Sequence, residues 1–167
     1  MKLIVDAGPV IVLSQIGRID ILPEFFDPVV VPREVAHELA RPGDTRPGSG
    51  FVSLPWVRVE HADPRHESLL PPAHGLHRGE ASALILAVQA LQAGEEMRVL
   101  IDDAAAVKAA TALGVPFFRV GNLLVHAAQE GVIDLAAAEA AVRQLAACRY
   151  IDARVERRLL ADLAKRR

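Results

Sequence analysis

Lys2-Leu3-Ile4-Val5-Asp6-Ala7-Gly8-Pro9-Val10-Ile11-Val12-Leu13 decides how this chain folds. The apolar run that ends at Val5 is short, as a buried strand is. Asp6 closes it, Ala7-Gly8 supplies a tight turn, and residues 9–16 read as a helix. Outward from this unit the same alternation returns. A short helix over 18–26 precedes a strand at 29–31. Pro32 then stands where a helix accepts proline, in its first turn, and that helix should run to about residue 40. Residues 41–50 hold Pro42, Gly43, Pro47, Gly48 and Gly50 and are expected to form a loop, and 56–60 reads as a strand. Residues 61–77, with three prolines and four histidines, read as an irregular surface connection. Helices at 79–93, 104–113 and 122–130 alternate with strands at 98–101 and 115–120, and the Ala-rich stretches 134–147 and 152–165 are helical. Strands separated by helices specify parallel βαβ units, hence the α/β class and a sandwich of helices on a sheet. No internal repeat or linker divides the chain, so one domain is expected over 1–167, with a helical C-terminal appendage from about residue 134.

The composition excludes several classes. With 51% hydrophobic residues and a mean hydropathy of +0.24, the 167-residue chain is not disordered. Aromatics are only 4%, so the core is aliphatic and an extensive base-stacking platform is not available. The single cysteine, Cys148, makes neither an internal disulfide nor a zinc framework. It lies beside Leu145 and Ile151, where a buried structural thiol is expected. No apolar run reaches the ~18 residues of a membrane span. The opening Met1–Val5 stretch imitates a signal peptide until Asp6 and Pro9 interrupt it, so a cytoplasmic protein with no membrane contact is expected.

Net charge is −2 but unevenly spread. Residues 143–167 carry eight Lys/Arg against three acids, while the rest holds eleven basic residues against eighteen acidic ones. A basic tail on an acidic body fits nucleic acid, and a solvated arginine-bearing helix face explains it equally well. Candidate phosphate contacts are Arg33 and Arg41 beside Glu38, Arg78 beside Glu80, and Arg119, because guanidinium groups bind phosphates through paired donors.

The informative residues are carboxylates at odds with the apolar pattern. Asp6 ends a strand, where its plain alternative is a helix cap. Glu38 shares a helical stripe with Val35 and Leu39 that should be buried. Glu80 heads the core face formed by Ala83, Leu84, Ala87, Val88 and Leu91, and its plain alternative is a first-turn acid complementing the helix dipole. Asp102 and Asp103 close the strand at 98–101. Neighbouring strand residues point to opposite faces, so one looks into a site and the other caps the next helix, with the sequence leaving open which does which. Asp6 and the 102/103 pair lie where parallel strands end, the place where α/β sheets bind ligands. Clustered carboxylates in a partly apolar cleft repel unless a cation neutralises them, and all-oxygen ligands suit Mg²⁺ or Mn²⁺ rather than zinc. Phosphodiester hydrolysis is the chemistry that such a constellation fits.

The order and spacing of these stretches resemble the PIN domain, specifically the VapC-like ribonucleases of toxin–antitoxin systems. The match runs through Ile4-Val5-Asp6-Ala7-Gly8-Pro9, Val31-Pro32-Arg33-Glu34-Val35-Ala36-His37-Glu38-Leu39, Gly79-Glu80-Ala81-Ser82-Ala83-Leu84 and Leu100-Ile101-Asp102-Asp103. The resemblance implies a three-layer α/β/α sandwich around a central parallel sheet, with a strand order resembling 3-2-1-4-5. It carries the family's acidic cluster onto Asp6, Glu38, Glu80, Asp102 and Asp103, as catalytic residues holding one or two Mg²⁺ or Mn²⁺ ions. It further implies endonucleolytic cleavage of single-stranded RNA, a toxin role, a small antitoxin partner and a homodimer. Alternatives are an RNA-processing nuclease without a toxin role and a weak or inactive RNA-binding module.

Three departures bear on the last alternative. Ala7-Gly8 stand where relatives carry a hydroxyl, Ala104-Ala105-Ala106 where a basic residue often follows the paired aspartates, and Phe118-Arg119 where a Gly-Thr turn is frequent. The first and third are expected to remove hydrogen bonds that position ligands. A rival His74/His77/Glu80 site is weakened by Pro71, Pro72 and Gly75, which disfavour a helix there. The isolated His37 and His126 read as structural or exposed.

Overall fold

The computed structural model describes residues 1–40, 45–71 and 75–165. Five strands form one parallel sheet: β1 (Lys2–Val5), β2 (Val29–Pro32), β3 (Val57–Glu60), β4 (Met97–Leu100) and β5 (Phe117–Phe118), in the order β3-β2-β1-β4-β5. This is the expected α/β/α sheet. Central β1 pairs along its whole length with β4, from Lys2 opposite Met97 to Val5 opposite Leu100.

Alternation along the strands divides the core in two. Leu3, Val5, Val29, Val31 and Leu100 point to one face. There they meet α1 (Ala7–Gln15), α2 (Ile21–Phe25), α3 (Arg33–Leu39), α6 (Val120–Gln129), α7 (Leu135–Ala147) and α8 (Ala153–Ala164). Ile4, Val30, Met97 and Val99 point to the other, against α4 (Arg78–Gln92) and α5 (Ala104–Ala112). Both strand faces are apolar because both are covered. The C-terminal helices are integral to the first layer: Val142, Leu145 and Leu159 are essentially inaccessible to solvent. Helix starts follow local chemistry, with Asp103, Asp134 and Asp152 accepting first-turn N–H groups of α5, α7 and α8.

Several boundaries differ from expectation for identifiable reasons. Strand β5 has two residues rather than six, because Pro116 has no N–H to give and Arg119 already serves as the N-cap of α6. Helix α1 starts at Ala7, directly after the strand, rather than at Pro9. Within 61–77 a 3₁₀ turn over Pro64–Leu69 is held by the Asp63 carboxylate, which accepts the Arg65 N–H. Cys148 is exposed, not buried, because α7 ends there and its thiol donates to the Leu145 carbonyl at 3.4 Å.

The end of α7 determines where the chain points next. Tyr150 N–H bonds to Leu145 O at 2.9 Å and Arg149 N–H to Ala146 O at 3.0 Å, the paired bonds of a Schellman turn. Arg149 occupies the left-handed position, φ 60°, that such turns usually give to glycine. The turn directs Tyr150 back towards the carboxyl ends of β1 and β4.

Candidate active site

Strand order reverses between β1 and β4, since β1 leads to β2 on one side and β4 lies on the other. A crevice opens at such a switch point, beyond the strand ends. Asp6 follows β1 directly and Asp102 follows β4 by two residues. The Asp6 N–H bonds to Leu100 O at 3.2 Å, tying the two strand ends together.

Asp6 occupies the N-cap position of α1, yet its side chain makes no capping bond. Burial pushes its carboxyl up to about 6. The backbone N–H groups of Ala7 and Gly8 oppose that shift, and the charges of Glu80 and Glu38 add to it. Glu38 is exposed in the last turn of α3 while Val35 and Leu39 are buried, which corrects its expected place on the buried stripe. Helix α3 ends at the crevice, so its final turn presents Glu38 at the rim. Glu80 is buried in the first turn of α4, where Oε2 accepts the His77 N–H at 2.9 Å. The capping reading of Glu80 is thus real, and burial beside Asp6 accompanies it.

Gly79 brings these groups together. A Cβ there would lie 3.0 Å from Val35 Cγ2, 3.4 Å from Asp6 Oδ1 and 3.9 Å from Glu38 Oε2. The absent side chain leaves room at the point that Asp6 and Glu38 both approach.

The adjacent aspartates have different partners. Asp103 is exposed and caps α5, its Oδ1 accepting from Ala105 N–H at 2.7 Å and Ala106 N–H at 3.3 Å. Asp102 points into the crevice. Its Oδ1 accepts from Arg119 Nε at 3.1 Å, and its Oδ2 accepts from Val120 N–H and the Tyr150 hydroxyl, each at 3.0 Å. Burial raises its pKa, against the pull of these three donors. The expected loss of positioning hydrogen bonds at Phe118-Arg119 therefore does not extend to Asp102, which takes them from other groups.

Tyr150 is the residue that sequence reasoning missed. Burial and the charges of Asp102 and Asp6 push its phenol far up, so it remains a donor. A Cβ on Gly8 would be 3.8 Å from the Tyr150 hydroxyl and 3.9 Å from Asp6 Oδ2, which puts the phenol beside both aspartates. Its only sequence signal is that it is the sole tyrosine of the chain. Glu34 was also missed: it lines the cleft on the Glu38 side, and its Oε2 is buried without a hydrogen-bond partner.

Of the candidate cations, Arg119 is bonded to Asp102, through Nε to the side chain and Nη2 to the backbone carbonyl at 3.0 Å. Arg78 lines a cleft of about 390 Å³ with Glu34, His37, Glu38, His77 and Gly79. Arg33 is exposed at the start of α3. Arg41 and His74 lie outside the described residues. His126 packs between the rings of Phe25 and Phe118, at centroid distances of 5.1 and 5.6 Å. Among the described residues no three His, Cys, Asp or Glu side chains are gathered closely enough to form a ready-made metal cage, and no helix is long and apolar enough to cross a membrane.

No curated protein and no solved structure is matched by the chain. A family model described as a PIN domain matches residues 2–166, virtually the whole sequence. That match agrees with the sheet order, and the chain belongs to the PIN-domain family, whose members are generally nucleases.

Proposed function

We propose that the protein is a Mg²⁺- or Mn²⁺-dependent endoribonuclease that hydrolyses single-stranded RNA. The observation that carries the reading is Asp6: a buried carboxylate, held near pKa 6, with two further acids against it. Such a group is costly when ionised unless a cation accompanies it.

The donors suit a hard divalent ion, being carboxylates with no thiolate among them. Mg²⁺ keeps several waters and takes as few as one or two protein carboxylates, so a closed cage of three is not required. Asp6 and Glu38, meeting over Gly79, would hold the ion, with Glu80 and Asp102 adding negative charge around it. A bound divalent ion supplies Lewis acidity that polarises a phosphodiester and favours attack by water.

The protein's own groups do the rest. Asp6 is ionised above about pH 6. Tyr150, Val120 and Arg119 hold Asp102 in one orientation. Arg119 keeps a positive charge at the crevice, where it attracts the backbone of an incoming strand. Asp103 contributes by fixing the start of α5 directly after Asp102.

The test is incubation of purified protein with labelled single-stranded RNA and Mn²⁺ or Mg²⁺, alongside Asp6→Asn and an EDTA control. Cleavage by the parent protein alone, abolished by EDTA, is expected. RNA binding without turnover in any metal would replace this reading with a binding module. The toxin role, a small antitoxin partner and a homodimer belong to the same proposal. Induced expression should arrest growth, with relief by Asp6→Asn, and unimpeded growth under an active nuclease would favour RNA processing.

A further inference from the structure

A second, smaller pocket of about 140 Å³ lies beside Asp102 and Tyr150, lined by residues of α6 and α8. Sites that enclose a whole small molecule typically measure about 300–1,000 Å³, so this one admits a group rather than a molecule. Two guanidinium groups line it: Arg119, which holds Asp102, and Arg158 on α8. The acids lining it are already engaged. Asp102 accepts from three donors, and Asp152 Oδ1 takes the Val155 N–H at 2.8 Å as the cap of α8. Arg158 gives one bond, from Nη2 to Asn122 Oδ1 at 3.2 Å, out of the five N–H donors that a guanidinium carries.

The packing that brings Arg158 here is specific. A Cβ on Gly121 would come within 2.5 Å of Leu159 Cδ1, so the Leu159 side chain of α8 fills the space that the missing side chain on α6 leaves. Glycine inside a helix costs about 0.5–1 kcal/mol relative to alanine. Leu159, only 1% exposed, anchors α8 at that crossing, and Arg158 is its immediate neighbour. The crossing sets a second cation, beside Arg119, next to the acidic crevice.

We propose that this pocket is a backbone-phosphate subsite, in which Arg158 and Arg119 together bind a phosphate of the RNA strand next to the one at the carboxylate cluster. The proposal rests on the ribonuclease reading and adds to it a strand path, from the Arg78 cleft past Asp6 and Asp102 to α8. Recognition at the subsite is by charge and paired donors, independent of base identity.

Binding and turnover test it separately. Fluorescence anisotropy of a labelled single-stranded RNA is measured with the full-length protein in EDTA, over a series of salt concentrations. Arg158→Ala should weaken binding about tenfold and lower the slope of log K against log salt by about 0.7, the value for one phosphate contact on a single strand. Arg158→Lys should keep the slope and recover part of the affinity, while Arg154→Ala, exposed on the same helix but outside the pocket, should change neither by more than about twofold. In Mn²⁺, Arg158→Ala should raise KM with kcat unchanged, as lost uniform binding does. An Arg158→Ala protein with parental affinity and slope overturns the subsite and leaves the nuclease standing. A fall in kcat at constant KM overturns it as well, in favour of a structural role. A parent protein that binds no RNA in EDTA and cleaves none in Mn²⁺ overturns both.

Discussion

The hydroxyl of Tyr150 donates to Asp102 Oδ2 at 3.0 Å, joining the α7–α8 connection to the end of β4 across 48 residues of chain. The bond is one of three that hold a half-buried carboxylate in place, and it is the one made by a side chain from another layer of the fold. The Schellman turn at Arg149 sets the phenol's approach, and burial keeps it protonated.

Replacing Tyr150 with phenylalanine removes that donor and little else. On the metal-site reading, loss of a partner that orients a carboxylate beside the ion typically costs 10–100-fold in affinity or activity. Calorimetric titration with Mn²⁺ should show a fall of about tenfold with an unchanged circular dichroism spectrum. Parental Mn²⁺ affinity in Tyr150→Phe would mean that Arg119 and Val120 suffice.

Asp6 makes stability depend on pH in a defined direction. Its carboxyl rises from 3.8 to about 6 on folding, so the folded state holds the proton more tightly. The resulting stabilisation is complete below pH 3.8, declines through the interval up to about 6, and is absent above it. Two units correspond to about 3 kcal/mol at most. Asp6→Asn should therefore be more stable than the parent in urea at pH 7.5, by about 1–3 kcal/mol, and should lose that advantage at pH 4. An equal difference at both pH values would exclude titration of Asp6 as the cause.

Gly121→Ala places a methyl group 2.5 Å from Leu159 Cδ1 inside the core. Overpacking of this kind costs about 1–3 kcal/mol, only partly offset by alanine's better helix propensity. The melting temperature should fall by a few degrees. A rise instead would show that α8 shifts away from α6 without penalty.

Arg149→Gly should act in the opposite sense. A non-glycine residue at φ 60° is disfavoured, and glycine at the turn removes the strain. A gain of about 0.5–1 kcal/mol in chemical denaturation is expected, with Mn²⁺ affinity unchanged because the path of the chain is kept.

What was legible in the sequence is what short-range pattern encodes. The run Leu3-Ile4-Val5 and the stripe Ala83, Leu84, Ala87 carry their own burial, so β1 and α4 fall within a residue or two of expectation. The alternation of strand faces separates Asp102 from Asp103 in principle. Which of them enters the crevice depends on Val120 and Tyr150, and no local pattern encodes those contacts. Glu38 misleads for a related reason: periodicity places it on a stripe, whereas the end of α3 at the crevice exposes it. The crossing of Gly121 and Leu159 is likewise a tertiary fact, since nothing near Gly121 marks it as more than a weak helix residue.

Chain order places Tyr150 and Arg158 after every acid of the cluster. Translation delivers Asp6, Glu38, Glu80 and Asp102 first, with charges facing one another and no phenol or α8 guanidinium to organise them. A shortened chain stopping at Cys148 would still contain every one of those carboxylates. It would lack the Tyr150 clasp on Asp102 and the anchor at Leu159, so possession of the acids alone does not define the smallest competent unit.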